Sequence, residues 1–196
     1  MKEPAKLTQP CDDPDRPIVS RFRSGDRSAF DELVRKYERS IVQLVRRYVT
    51  VEEDAKDIAQ RTFVRVLERI DSFRAESRFR TWLYRIAVNL ALDHARGEKH
   101  AQSIPIDDDL AFTNSLGTDK LVAAEVWRKV SARLAELPPR QRLVVELRVF
   151  HDLSFEEIGA IVDSTEDAAK MNYHHGVKRL RSILSGLPPW SGNNLR

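Results

Sequence analysis

The sequence predicts an all-α protein built as two small helical domains joined by an acidic, flexible linker. Three features of its 196 residues carry that expectation. Long segments repeat apolar residues at helical spacing, and none shows the alternation of a half-buried strand. Glycine is scarce, with 7 in the chain, and 41% apolar content suffices for globular cores. Charge falls in blocks: residues 21–100 hold 18 basic and 13 acidic side chains, 101–126 hold one and five, and 127–187 hold ten and eight. Two basic modules flanking an acidic stretch follow from that distribution, whereas the net charge of +3 alone would not imply nucleic acid.

Residues 1–20 carry four prolines and little apolar material, which predicts a disordered tail. The first domain is expected over 21–99. Ser28 followed by Asp31 marks a helix start, and Phe30, Leu33, Val34, Tyr37, Ile41, Leu44, Val45 and Tyr48 then form one buried stripe. A second helix begins near Glu52, with Glu53, Asp54 and Asp57 close to the positive end of its dipole. Its inward face is Ala55, Ala59, Thr62, Phe63, Val66 and Ile70, which leaves Asp54, Asp57, Gln60, Arg61 and Arg65 facing out. A charged helix surface is by default merely solvated.

The stretch Phe73 to Arg96 is the main candidate for function. From Thr81 on, Leu83, Ile86, Ala87, Leu90 and His94 recur at helical spacing and give a face to bury. At about 100° per residue, Trp82, Arg85, Asn89, Asp93 and Arg96 fall on a separate stripe. Upstream, Phe73, Arg74, Arg78, Phe79 and Arg80 interleave charges for phosphates with flat faces for unpaired bases. Composition alone favours core aromatics beneath a solvated arginine surface, since arginine-rich helix faces are common.

After Gly97 the chain turns polar and acidic, with Ser103, Pro105, Asp107, Asp108, Asp109, Asn114 and Gly117, and 100–119 reads as the linker. The second domain is expected over 120–187, with a tail at 188–196. Leu121, Trp127, Val130, Leu134 and Leu137 open it, and Pro138-Pro139 then makes a corner. Leu143, Val144, Leu147 and Phe150 mark the next helix, and Ser154 with Glu157 forms a capping box ahead of Ile158, Ile161 and Val162. Asp163, Ser164 and Thr165 supply turn and cap chemistry for a last helix burying Ala169, Tyr173, Val177, Leu180 and Leu184. Two helices joined so tightly read as a helix-turn-helix. Its second helix presents Lys170, Met171, His174, Lys178 and Arg181, a stripe suited to a major groove and its phosphates.

The run FRTWLYRIAVNLALD closely resembles the second conserved region of bacterial sigma factors of the extracytoplasmic-function (ECF) type, and LAELPPRQRLVVELRVFHDLSFEEIGAIV resembles their fourth. The resemblance over 21–99 is nearly continuous and includes Gly25-Asp26. It implies a subunit that binds core RNA polymerase and directs it to promoter DNA. The 73–96 segment would then separate the strands and read the downstream element, and the helix-turn-helix would read the upstream one. EEDAKDIAQRTFVRVLERIDSF resembles the helix that docks on a coiled coil of the polymerase's largest subunit, making Asp54, Asp57, Gln60 and Arg61 partner contacts. The linker would run toward the polymerase active centre, with Asp107 to Asp109 in a phosphate groove, and an anti-sigma factor becomes an expected partner. The recognition helix departs from the family in having Asp163 where glycine is usual in the turn and Asn172 where a basic residue is common.

Two other readings compete. A stand-alone regulator would use the same helix-turn-helix but leaves TWLYRIAVN without a purpose. His151-Asp152 superficially matches paired ligands of helical metal-dependent phosphohydrolases, yet it sits at a corner where a turn pair is expected. No catalytic constellation or phosphate-cradling glycine loop appears, so neither enzyme activity, metal nor cofactor is expected. The single cysteine, Cys11, excludes an internal disulfide. No apolar run approaches the roughly 20 residues needed to cross a bilayer, and no signal peptide opens the chain, which points to the cytoplasm without membrane insertion.

Overall fold

The computed structural model describes residues 13–49, 51–101 and 133–185. Among them are seven α-helices and no strand. The chain divides into two compact units. The linker at 100–119 beyond Ala101, the carboxylates Asp107 to Asp109, the apolar Leu121, Trp127 and Val130, Cys11 and the 188–196 tail all lie outside the described residues.

The first unit contains α1 (Arg16–Arg23), α2 (Arg27–Val45), α3 (Glu52–Arg69) and α4 (Phe79–Ala101). The disordered tail expected over 1–20 is corrected from residue 13 onward. Proline is tolerated in a helix's first turn, where its missing N–H is no loss, and Pro17 sits there in α1. The side chains of Asp13, Asp15 and Val19 are buried. Gly25, at φ +97°, turns the chain from α1 into α2, a conformation that costs a glycine little. The cap of α2 is Asp26 rather than Ser28: its carboxylate accepts from the Ser28 N–H at 3.0 Å.

α2 buries Leu33, Tyr37, Ile41, Leu44 and Val45 as its periodicity requires, and α3 buries Ala55, Ile58, Ala59, Thr62, Phe63 and Val66. Both pack on α4, and α1 packs on α2. The buried face of α4 is Phe79, Leu83, Tyr84, Ala87, Val88 and Ala91, while Ile86, Leu90 and His94 are only half-buried. At 100° per residue this face is turned by about 60° from the expected one.

The second unit contains α5 (Pro139–Phe150), α6 (Phe155–Ile161) and α7 (Glu166–Ser185). Pro139 occupies the first position of α5. Leu134, Leu137 and Val145 form a buried cluster on which Phe150, Tyr173, Val177 and Leu180 pack. The capping box at the start of α6 is present in both directions: the Ser154 N–H donates to Glu157 Oε2 at 2.8 Å, and the Glu157 N–H to Ser154 Oγ at 3.1 Å.

Candidate nucleic-acid and polymerase interfaces

An aromatic cluster anchors the start of α4. Phe73 and Phe79 lie edge to face with centroids 5.9 Å apart, Tyr37 approaches Phe79 at 6.1 Å, and Trp82 lies against Phe73 at 5.2 Å. Phe73 and Phe79 are buried, so neither offers a face to a base. The edge of one ring rests on the face of the other, which stabilises the cluster beyond the area buried. Trp82, half-buried at its margin, is the aromatic left in reach of solvent. In the connecting loop, Arg74 is exposed and Ala75 sits at φ +55°, while Arg78 and Arg80 are half-buried. Desolvation and a hydrogen bond to Asp15 push the Tyr37 phenol well above its usual range, keeping it a neutral donor at physiological pH.

The rotation of α4 settles its outer face. With the buried face centred between Tyr84 and Ala87, the stripe through Trp82, Arg85, Asn89, Asp93 and Arg96 is almost diametrically opposite. Arg85, Asn89, Asp93 and Arg96 are all exposed. Arg96 pairs with Asp93 at 2.9 Å. An exposed pair of this kind contributes little to stability and yields readily to a ligand.

On α3, Asp57, Gln60 and Arg61 are exposed and Asp54 is half-buried. Arg61 stands 3.8 Å from Asp57 across one turn. Val64 and Leu67 on the same outward side are 50% and 45% exposed. Neither was expected to face out, although they lie four and seven residues beyond Gln60 and so continue its stripe.

Lys170, Met171, His174, Lys178 and Arg181 are all exposed along α7, Met171 by 62%. His175 and Arg179, also exposed, add to the basic surface. Lys170 is held by Glu166 at 2.8 Å and by Asp167 at 3.7 Å. The Glu166 hydrogen bond, helped by both carboxylate charges, raises the ammonium pKa. Asn172 turns its amide along the helix to donate to the Ala168 carbonyl at 2.8 Å, so it is not poised for a base. Asp163 adopts φ +52°, the left-handed turn that glycine would take at less cost. The Thr165 hydroxyl caps α7 by accepting from the Ala168 N–H at 3.2 Å. Asp152, likewise left-handed at φ +48°, occupies the turn between α5 and α6.

Among the described residues every regular element is helical, with an amide- and arginine-bearing stripe exposed on one unit and a capped helix-turn-helix in the other, the motif class of DNA-binding proteins. Residues 33–101 match the family model for sigma-70 region 2, and residues 127–180 match that for sigma-70 region 4. The ECF RNA polymerase sigma factor SigW of Bacillus subtilis is 31% identical over 179 residues, which cover 86% of this chain and 96% of that protein. Among solved structures, CnrH in complex with the cytosolic domain of CnrY has a TM-score of 0.67 at 23% identity, covering 87% of this chain and 97% of that one. The sigma factor RpoE in complex with the anti-sigma factor NepR from Bartonella quintana has a TM-score of 0.61 at 18% identity, covering 81% and 98%. These two structures establish likeness of fold. The chain belongs to the ECF sigma factors of RNA polymerase. It binds core polymerase and directs it to promoter DNA, and the bond-making chemistry is the polymerase's.

Proposed function

We propose that the outer stripe of α4 captures the separated promoter strand and reads the downstream element, while α7 reads the upstream element from the major groove. The observation that carries this reading is the exposure of Arg85, Asn89, Asp93 and Arg96 on the face opposite the buried one. Extruding a base costs a few kcal/mol, which a protein without an energy source must offset with contacts available only to the open strand. Stacking on an aromatic returns roughly 1–3 kcal/mol per base. With Phe73 and Phe79 buried, Trp82 is the stacking candidate of this stretch. More of the offset then falls to phosphate contacts from Arg74, Arg85 and Arg96 and to base-edge contacts from Asn89 and Asp93. Arg78 and Arg80, both half-buried, add further phosphate contacts.

The outward face of α3, with Asp54, Asp57, Gln60 and Arg61 around Val64 and Leu67, is the proposed polymerase dock. A mixed face with apolar residues at its centre and charges at its margin is what a protein interface requires. The domain limits we assign are residues 13–99 and 120–187, with Asp107 to Asp109 in the connecting segment as mimics of phosphate. An anti-sigma factor is the proposed regulator, supported by the fold shared with the NepR-bound RpoE. Among the described residues no helix is long and apolar enough to cross a membrane, and work with core polymerase supports a cytoplasmic location.

Asn89→Ala tests the strand-capture reading. It should reduce open-complex formation on duplex promoters and narrow discrimination among downstream-element sequences by about 1–3 kcal/mol, with core binding retained. Permanganate footprinting reads the first effect, and competition with single-stranded oligonucleotides the second. Normal melting with unaltered sequence preference would put the reading head elsewhere.

A further inference from the structure

The segment ahead of α1 and the last residue of α1 hold the two ends of the loop that leads into α4. The Asp13 side chain is only 9% exposed, and its two oxygens accept two backbone N–H groups. Oδ1 takes the Asp15 N–H at 3.0 Å, and Oδ2 takes the Phe79 N–H at 2.7 Å from 66 positions away. Phe79 opens α4, so its N–H is one of the donors that no carbonyl within the helix can satisfy. A carboxylate there also faces the positive end of the helix dipole. Asp15, itself buried, is fixed by Lys36 and by the Tyr37 hydroxyl, both on α2. At the other end of the loop, Arg23 donates to the carbonyls of Ile70 and Phe73, with its guanidinium carbon 6.0 Å from the Phe73 ring centroid.

Capping is usually local, supplied by the residue just before the helix. Here the acceptor comes from the far end of the domain. The first turn of α4 carries Arg80 and Trp82 and closely follows the exposed Arg74. We propose that Asp13 is a positioning residue for promoter opening: it caps α4 from outside and fixes the turn that presents Trp82 to the unpaired strand. The idea rests on the strand-capturing role assigned to α4, and the test separates the two.

Full-length Asp13→Ala and Asp13→Asn proteins are compared with the parent and with Asn89→Ala. The measurements are core-polymerase affinity, permanganate reactivity of a duplex promoter, and hydrogen exchange at Phe79 to Trp82. Removing a helix cap typically shifts a local equilibrium about fivefold. Asp13→Ala should therefore open the promoter about fivefold less and exchange its first-turn amides faster, with core affinity within about twofold of the parent. Asp13→Asn keeps one acceptor oxygen and should recover part of the opening, which a purely electrostatic or purely space-filling role would not produce. Normal opening in Asp13→Ala beside impaired opening in Asn89→Ala would overturn the proposal alone. Normal opening in both would remove the strand-capturing role of α4 and the proposal with it. Equal losses in both Asp13 variants, matched by lost core binding, would make Asp13 a general stability residue and overturn the proposal too.

Discussion

Two glycines fix how closely the helices of the second unit approach. A methyl group on Gly159 would stand 2.9 Å from the Ser164 carbonyl oxygen, and one on Gly176 would stand 2.7 Å from a methyl of Val145. The first obstacle is backbone within the helix-turn-helix itself, where the Ser164 N–H already bonds the Gly159 carbonyl at 2.8 Å. Gly159→Ala should therefore destabilise this unit by about 1–3 kcal/mol, the usual cost of overpacking, and weaken upstream-element binding as the angle between α6 and α7 opens. Thermal unfolding of the variant checks it, and an unchanged midpoint would mean that the turn relaxes freely. Such a constraint is invisible in sequence, where Gly159 is simply a glycine in a helical pattern. Asp163 was legible, because few residues besides glycine tolerate a left-handed turn. Phe73 and Phe79 were not: aromatics interleaved with arginines look the same whether the rings face a base or each other. Only the burial of Phe79 under Tyr37 and Trp82 decides it.

The helices themselves follow from periodicity, and what periodicity leaves open is how each is turned. In α4, apolar residues occupy enough of the circumference that two faces would serve, and packing against α2 and α3 selects the one containing Tyr84 and Val88. The polar stripe was legible all the same, because Arg85, Asn89, Asp93 and Arg96 are excluded from either choice. α1 was missed for a different reason. Its prolines read as a tail, and the polar partners that order it, Lys36, Tyr37 and Phe79 N–H, come from elsewhere in the chain. On α3, Val64 and Leu67 have outward positions that packing among the described residues does not explain. Burying the exposed half of either against the polymerase would contribute about 1 kcal/mol, so Val64→Asp or Leu67→Asp should weaken core binding about fivefold or more. Reversing charge at Asp57 or Arg61 should act in the same direction. The helical circular-dichroism signal should stay at the parent's level in each case, since these side chains are exposed. Undiminished affinity in a titration against core enzyme would move the dock off this face.

At the scale of the whole molecule, stability is expected to come in two parts, because each unit has a core that its own helices complete. In the first, Leu33, Ile41, Leu44, Ile58 and Leu83 are buried on α2, α3 and α4. In the second, Leu134, Leu137 and Val145 are covered by residues of α5 and α7. Between the described parts the sequence is polar and acidic, with Asp107, Asp108 and Asp109 and no sustained apolar period over 100–119. A core that needs nothing from its neighbour should survive separation. Fragments 1–105 and 120–196 should each unfold cooperatively, and their two transitions should together reproduce the trace of the intact chain. The first fragment must include residue 13, since removing the segment before α1 takes away the acceptor for the Phe79 N–H and the partner of Lys36 and Tyr37. A fragment beginning at residue 21, the limit that sequence alone suggested, also loses most of α1 with the buried Val19, and should therefore melt lower than one beginning at residue 1 by several degrees or more, as the loss of at least about 2 kcal/mol from a domain of this size requires. Calorimetry on the three fragments decides it. Equal midpoints for the two forms of the first domain would show that the N-terminal segment adds nothing to its stability, and failure of either full fragment to fold would show that the two cores depend on each other.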